Sequence, residues 1–137
     1  MFNTSLPTEL EDLRVEVARF ATEVVAPVAA FHDEQKSFPY AVVSQMAQMG
    51  LFGLPFPEEQ GGMGGDYLTL CLAIEELARV DQSVAITLEA AVSLGTMPVY
   101  RFGTDAQKAR WLPELVSGRR LGAFGLTESG AGSDVAS

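Results

Sequence analysis

The residues with the clearest chemical potential lie together between Leu121 and Asp134. An apolar stretch with the pattern of a buried strand leads there into residues 127–133, Thr-Glu-Ser-Gly-Ala-Gly-Ser. Glycines allow the backbone to turn so that successive N–H groups face one anionic ligand. The hydroxyls of Thr127 and Ser133 add side-chain donors on either side of that turn. The segment therefore predicts a site for an anionic ligand.

Length and composition favour one globular domain without a nucleic-acid partner. The 137 residues suffice for one core but not for two full domains. Only 9 Lys and Arg oppose 18 Asp and Glu, and no basic cluster extends beyond Arg119-Arg120. Cys71 is the only cysteine, so no internal disulfide can form and we predict no metal site. The first residues lack a signal-peptide pattern, and no apolar run approaches bilayer length, so we expect no membrane partner and a cytoplasmic location.

The spacing of apolar residues predicts a mainly α protein, a bundle of about six helices. Apolar positions three and four residues apart indicate a helix over residues 8–35, and Pro27 is expected to kink or split it. Thr104 and Gln107 form a capping-box pattern that begins the last helix, which ends at Leu115. The helices between these two are predicted from Pro39 to Gly50, after the cap residue Asp66, from Ser83 to Leu94, and from Gly95 to Gly103.

One β-strand is predicted near residues 121–126, after the helices. The period changes from helical to extended after Ser117-Gly118, which places a domain boundary between residues 1–118 and residues 119–137. A single strand in a helical protein has no partner, and burying it unpaired leaves its N–H and C=O groups without hydrogen bonds. The strand either lies in a groove of the bundle or belongs to a sheet in further sequence, and the second interpretation is favoured.

Three other features permit a chemical interpretation but favour a structural one. Residues 61–65, Gly-Gly-Met-Gly-Gly, resemble a phosphate-binding loop, yet no strand precedes them and no lysine follows, so we expect a flexible turn. Glu75 and Glu76 are adjacent on a predicted helix and diverge by about 100°, which favours a solvated edge over an acid–base pair. Glu89 lies on an otherwise apolar helix and is a pocket candidate only if it is buried.

Four blocks in this order resemble the N-terminal region of the acyl-CoA dehydrogenase family. Each is short, but the set in sequence is highly specific. The last block is the one that resembles the flavin-binding signature of these enzymes. The blocks are residues 50–54 with 57–62, residues 75–79, residues 93–95 with 102–104 and 107–108, and residues 124–133.

The resemblance implies the helical N-terminal domain of a flavoenzyme, followed in residues 119–137 by the first strand and flavin-binding turn of a middle β-domain. Such enzymes use FAD to oxidise the bond between the α and β carbons of an acyl-CoA thioester, giving a 2-enoyl-CoA in fatty acid and lipid metabolism. They are commonly homotetramers, or homodimers, and pass electrons to an electron-transfer flavoprotein or a similar acceptor. Their glutamate base in most cases lies in a C-terminal domain, so we expect no catalytic residue in this chain and no activity from it alone.

The resemblance also assigns residues to the cofactor and the substrate. Ser133 is assigned to substrate as well as flavin, and Glu89 and Ala90 to the inner end of the acyl pocket. Ser129, where many relatives have proline, and the Ala91-Val92 pair, where many have histidine and a polar residue, depart from the pattern and leave the pocket shape open. The residues assigned to FAD are Phe124, Gly125, Leu126, Thr127, Glu128, Ser129, Gly130, Ala131, Gly132 and Ser133.

Two alternatives of other classes remain open at the level of sequence. The chain is compatible with a non-catalytic helical acyl-binding module that kept the bundle and lost the chemistry. It is also compatible with a dimerising module in which the terminal strand pairs across two chains. Bound flavin and a downstream β-domain with a helical glutamate distinguish the dehydrogenase from both.

Overall fold

The computed structural model describes residues 5–136, and the outer ends of the two predicted domains, residues 1–4 and 137, lie outside them. Within the described residues the chain forms five continuous helices and no sheet. Helix α1 (Thr8–Phe20) passes through a π-helical segment (Ala21–Val25) into α2 (Ala26–Gln35). The mainly α prediction is therefore confirmed, with one helix fewer than expected.

The remaining elements follow in chain order. Helix α3 (Tyr40–Gln48) is followed by two 3-10 turns (Leu51–Gly53 and Glu58–Gln60) and by α4 (Tyr67–Ala78). Helix α5 (Gln82–Glu89) continues through a second π-helical segment (Ala90–Thr96) into α6 (Met97–Phe102). Helix α7 (Asp105–Val116) is the last regular element in the described part of the chain.

Capping side chains and a glycine mark three of the helix ends. Asp66 accepts from the Thr69 N–H and Thr104 accepts from the Gln107 N–H, and both form the reciprocal bonds of a capping box. Gly50, with φ +76°, ends α3 in the left-handed conformation that glycine adopts without steric cost. These ends confirm the predicted starts of α4 and α7 and the predicted end of α3.

The expected break at Gly95 does not occur. The chain passes through it in the second π-helical segment, where the Met97 N–H donates to the Val92 carbonyl, five residues earlier. Proline follows closely in both interrupted helices, Pro27 after the first π segment and Pro98 after the second. Proline lacks an N–H and disturbs the α-helical bonding of the preceding turn, so wider turns in these places have a physical cause.

The helix from Gln82 to Phe102 is 21 residues long and apolar enough to meet the length and composition of a membrane span. The expectation that no apolar run approaches bilayer length was therefore wrong. Its buried residues include Val84, Leu88 and Val92, which belong to the main hydrophobic cluster. Through these residues the helix contributes to the hydrophobic core of the bundle.

The core lies where α4 packs between α1 and α5 and where α7 packs on the second π segment. Its largest fully buried side chains come from the helices and from the irregular connection after α3. They include Val17, Met46, Phe52, Phe56, Leu70, Leu77, Leu88 and Leu112.

The predicted terminal strand is not formed as a strand. Residues 121–127 have no ladder partner within the described residues, and an isolated bridge joins Glu128 and Ala131 instead. Leu121, Phe124 and Leu126 are 38%, 53% and 50% exposed, so the segment does not occupy a deep groove of the bundle. The physical reason is that an extended segment needs a second strand for its backbone hydrogen bonds, and the described residues contain none.

Candidate functional site

The predicted flavin segment, residues 124–133, lies outside the helical bundle as an extended arm with a tight turn. Glu128 donates its N–H to the Ala131 carbonyl at 3.0 Å, and Ala131 donates back to the Glu128 carbonyl at 3.2 Å. Ser129 and Gly130 form the tip of this turn. The N–H groups of Glu128 and Ala131 are therefore bonded to each other's carbonyls within the turn, and their assignment to FAD stays a prediction.

The arm leaves the bundle through an anchored connection. Gly118, with φ +70°, follows the end of α7, and the Arg120 N–H donates to the Glu114 carbonyl at 3.1 Å. The Arg119 side chain also donates to Glu114 Oε1, at 3.0 Å from Nε and 2.7 Å from Nη2, and these two side-chain bonds lower the pKa of the Glu114 carboxyl. The connection is thus held to α7 by backbone and side-chain contacts immediately before the arm begins.

Past this anchor the arm crosses the helix from Gln82 to Phe102. The backbone of Gly122 packs directly on the backbone of Gly95, in the second π segment. The same π segment begins with Ala90, next to Glu89 at the end of α5. One helix therefore carries both predicted acyl-pocket residues and the point that the arm touches.

Glu89 and Ala90 are half-buried. Glu89 borders a shallow open groove between α4 and α5, whose apolar lining includes Ile74, Ala85 and Ile86. Because Ile86 is 58% exposed, the groove presents apolar surface to solvent. A half-buried carboxylate at the edge of an apolar groove is compatible with a pocket wall. Glu89 was a pocket candidate only if buried, and the structure meets that requirement in part.

Most side chains of residues 124–133 are exposed, with Ala131 half-buried. A methyl group on Gly125, Gly130 or Gly132 would have no other atom within 4 Å, so open space lies beside each of them. Among the described residues no hydrogen bond joins Ser133 to Glu89 or Ala90. The structure thus supplies one open wall with hydroxyl donors and a separate helix face, joined through Gly95 and Gly122.

The glycine-rich residues 61–65 are not a phosphate cradle. Their N–H groups point into the protein and donate to carbonyls of residues 53–58; for example, Met63 donates to Gly53 at 2.9 Å and Gly64 to Phe56 at 2.8 Å. Gly62 packs so closely on Phe56 that a methyl group would lie 2.1 Å from its carbonyl oxygen. The structural interpretation of this loop was therefore right, but the loop is a bonded turn with internal partners.

The prediction that Glu75 and Glu76 form a solvated helix edge was wrong for Glu76. Glu75 is exposed as expected, but Glu76 is 4% exposed and accepts from Arg14 Nη1 at 3.0 Å and from Arg79 Nη1 at 2.9 Å. Hydrogen bonds to Glu11 and then Glu76 raise the pKa of Arg14 above its ordinary value. The available signal was the position of Glu76 three and four residues after Ala73 and Leu72, which places it on the same, buried helix face.

Comparison with known proteins gives one consistent result. The sequence model of the family described as "Acyl-CoA dehydrogenase, N-terminal domain" matches residues 7–119. A probable acyl-CoA dehydrogenase of Bacillus subtilis is 46% identical over 133 residues, covering 97% of this chain and 35% of that protein. The chain therefore spans about a third of the length of the curated relatives it matches.

Solved structures agree in fold. A structure reported for the electron transferring flavoprotein of Acidaminococcus fermentans has a TM-score of 0.93 at 40% identity, covering 98% of this chain and 35% of that one. An acyl-CoA dehydrogenase complexed with FAD from Bacillus anthracis has a TM-score of 0.89 at 32% identity, covering 98% of this chain and 24% of that one. At these identities the likeness extends beyond fold to family.

Proposed function

The chain belongs to the acyl-CoA dehydrogenase family, and from this premise we propose that it is the N-terminal part of an FAD-dependent dehydrogenase. The longer protein oxidises the α,β carbon bond of an acyl-CoA thioester to a 2-enoyl-CoA. The observation that carries this proposal is the match to the family's N-terminal domain over residues 7–119, followed at once by the Thr127–Ser133 segment. Relatives about three times as long supply the reason to expect further domains.

The described residues fit a flavin along one wall. The hydroxyls of Thr127 and Ser133 are exposed donors on an arm whose glycines have open space beside them. When bound, FAD would supply the two-electron acceptor for the hydride that leaves the substrate. In this proposal Thr127 hydrogen-bonds near the polar edge of the flavin ring, and Ser133 contacts the diphosphate and the CoA arm.

The helical domain would contribute the inner end of the acyl pocket. Glu89 and Ala90 lie at the junction of α5 and the second π segment, beside the apolar groove between α4 and α5. Apolar side chains there exclude water from an acyl chain, and the half-buried Glu89 limits how far the chain extends. The glutamate base of the reaction is placed after residue 137, so the chain alone supplies no group that removes the α-proton.

Partners follow from the same premise. A chain similar to this one occurs in a structure reported for the electron transferring flavoprotein of Acidaminococcus fermentans, which supports a flavoprotein as electron acceptor. A homotetramer or homodimer of the longer protein is part of the proposal, and the exposed Phe124 and Leu126 provide apolar surface for packing against its other domains. The cytoplasmic location stays a prediction.

A second candidate is a non-catalytic module that binds acyl groups or dimerises. The observation that favours it is the apolar surface left open at Ile86 and along Phe124 and Leu126. This candidate predicts a folded chain that self-associates or binds acyl-CoA, with no flavin in the longer protein. Flavin content therefore separates the two.

The test compares the longer protein with the 137-residue chain. The longer protein is expected to purify with a flavin absorbance band and to reduce an artificial electron acceptor only when an acyl-CoA is added. The 137-residue chain is expected to fold, to bind no stoichiometric FAD in equilibrium dialysis, and to show no reduction. A colourless longer protein that fails to reduce the acceptor with short-, medium- and long-chain acyl-CoA would overturn the proposed function.

A further inference from the structure

Two glycines form the closest approach between the arm and the helical bundle. A methyl group on Gly122 would lie 2.5 Å from the Cα of Gly95, and a methyl group on Gly95 would lie 2.5 Å from the Cα of Gly122. Real Cβ atoms essentially never approach other heavy atoms within 3.0 Å. The obstructing atoms are backbone on both sides, so no side-chain rotation relieves either substitution. Only glycine at both positions permits this crossing.

The helix is specialised at the crossing. Gly95 lies in the π-helical segment, whose widened turn is stabilised by the Thr96 hydroxyl donating to the Ala91 carbonyl at 2.7 Å. Thr96 is 2% exposed, so this bond is sheltered from water. Single π turns inside α-helices occur frequently at functional sites. The Gly95 backbone therefore contacts the arm from a π turn that the bond between Thr96 and Ala91 stabilises.

The crossing lies between the two groups of predicted site residues. Along the helix, Glu89 and Ala90 are six and five residues before Gly95; along the arm, Thr127 is five residues after Gly122. At the crossing the backbones of Gly95 and Gly122 are in direct contact, with no side chain between them. Where the arm crosses therefore decides how far residues 124–133 lie from the face that carries Glu89.

We infer that Gly95 and Gly122 are positioning residues that fix the flavin segment relative to the acyl-pocket helix. This inference rests on the proposed function for the roles of the two groups it joins. The crossing itself is a property of the described chain and is testable without flavin. Displacing the arm by the width of one methyl group would change the separation between hydride donor and acceptor, to which the chemical step is steeply sensitive.

The first experiment measures the crossing in the 137-residue chain. Trypsin cleavage after Arg120 requires the connection to open locally, and Gly95→Ala leaves the sequence around that bond unchanged. We expect Gly95→Ala and Gly122→Ala each to accelerate this cleavage at least tenfold. The matched controls, Leu94→Ala beside the first and Ala123→Ser beside the second, change exposed neighbours and are expected to stay within twofold.

Thermal unfolding followed by circular dichroism separates a displaced arm from a damaged bundle. Without the crossing, Gly95→Ala would raise the unfolding midpoint, because alanine is the better helix former. If Gly95→Ala lowers the unfolding midpoint of the bundle, its faster cleavage is not informative, and the cleavage rate of Gly122→Ala is compared with wild type instead. Gly122 lies outside the helices, so its substitution does not alter helix stability directly. Cleavage at the wild-type rate in Gly122→Ala, or a raised midpoint in Gly95→Ala, would overturn the crossing.

The second experiment measures positioning in the longer flavoprotein. Gly122→Ala is expected to lower kcat at least tenfold with KM for acyl-CoA changed less than threefold, while Ala123→Ser keeps both. Because either methyl group alone displaces the arm, the double variant Gly95→Ala/Gly122→Ala is expected to lose no more than threefold beyond the worse single variant. Unchanged kcat, or losses that multiply, would overturn the positioning role. A wild-type protein without flavin would instead overturn the proposed function and leave the proteolysis result standing.

Discussion

Arg14 on α1 donates to Glu76 on α4 across 3.0 Å, and this bond joins two residues that are 62 positions apart in sequence. Arg79 donates to the other carboxylate oxygen at 2.9 Å, so both oxygens of a side chain only 4% exposed have cationic partners. A buried carboxylate is tolerated when it is paired in this way. The arrangement fixes the rotation of α4 against α1, and α4 carries the groove wall near Glu89.

Replacing Glu76 by glutamine is expected to destabilise the chain by about 1–3 kcal/mol, because a charge-assisted acceptor becomes an amide that faces a guanidinium. Glu75→Gln changes the adjacent exposed residue and is expected to remain within about 0.5 kcal/mol of wild type. Urea unfolding followed by circular dichroism measures both. Equal stabilities for the two variants would mean that the contact between α1 and α4 contributes nothing.

Asp66 makes part of the stability depend on pH. Its Oδ1 accepts from the Thr69 N–H and the Thr69 hydroxyl, each at 2.9 Å, and these bonds lower the pKa of the Asp66 carboxyl. A carboxyl whose pKa is lower in the folded state contributes stability that is present above its unfolded pKa and lost as pH falls through the folded value. The loss is therefore expected below about pH 4, the ordinary range of aspartate.

Asp66→Asn keeps a capping oxygen and removes the titration. We expect the difference in unfolding midpoint between wild type and Asp66→Asn to shrink as pH is lowered from 7 to 2. Asp12→Asn, an exposed change on α1, serves as the control for a general charge effect. A difference that stays constant over this range would show that the ionised form of Asp66 is not the stabilising one.

Features set by local chemistry were predictable from the sequence. The caps at Asp66 and Thr104 and the stop at Gly50 depend on a few neighbouring residues, and the structure places them as expected. Gly95 was misjudged because a π turn, supported by the buried Thr96, carries the helix through a residue that usually ends one. Helix propensity is a weak prior that tertiary packing overrides.

Features that depend on distant partners were not predictable in the same way. The burial of Glu76 requires α1 to supply Arg14, and no local pattern specifies that pairing. The strand expected near Leu121 needs a partner strand that the described residues do not contain. The likeness of Thr127–Ser133 to a flavin signature was found from the sequence, whereas its crossing at Gly95 required coordinates.

Gly118 and Gly61 allow steric crowding to be separated from backbone strain. Both have positive φ, +70° and +80°, but a methyl group on Gly118 would lie 2.3 Å from the Phe52 ring while one on Gly61 meets nothing within 4 Å. Gly61→Ala is expected to cost about 1 kcal/mol for the left-handed backbone alone. Gly118→Ala is expected to cost about 2–4 kcal/mol, because strain in the buried core is added. Equal losses in urea unfolding would contradict the close packing against Phe52.

Thr127 tests the cofactor side of the proposed function in the longer protein. Thr127→Val removes a hydroxyl donor with little change in volume. Loss of one hydrogen bond to a polar flavin atom is expected to cost about 1 kcal/mol, or roughly a fivefold weaker FAD affinity, with slower flavin reduction. Thr22→Val makes the same change on the first π segment, where the hydroxyl donates to Ala18, and is expected to leave FAD affinity unchanged. An unaltered affinity and reduction rate in Thr127→Val would identify the segment as a simple turn.

Ser133 tests the substrate side of the same segment. Its hydroxyl is exposed at the end of the arm, and the proposed contact is with the cofactor diphosphate and the CoA arm, away from the reacting carbons. A contact made equally in the ground state and the transition state changes KM more than kcat. Ser133→Ala is therefore expected to raise KM for acyl-CoA severalfold with kcat within twofold, while Ser44→Ala, exposed on α3, alters neither. Steady-state kinetics of the longer protein decide this. A fall in kcat at constant KM would instead place Ser133 beside the reacting atoms.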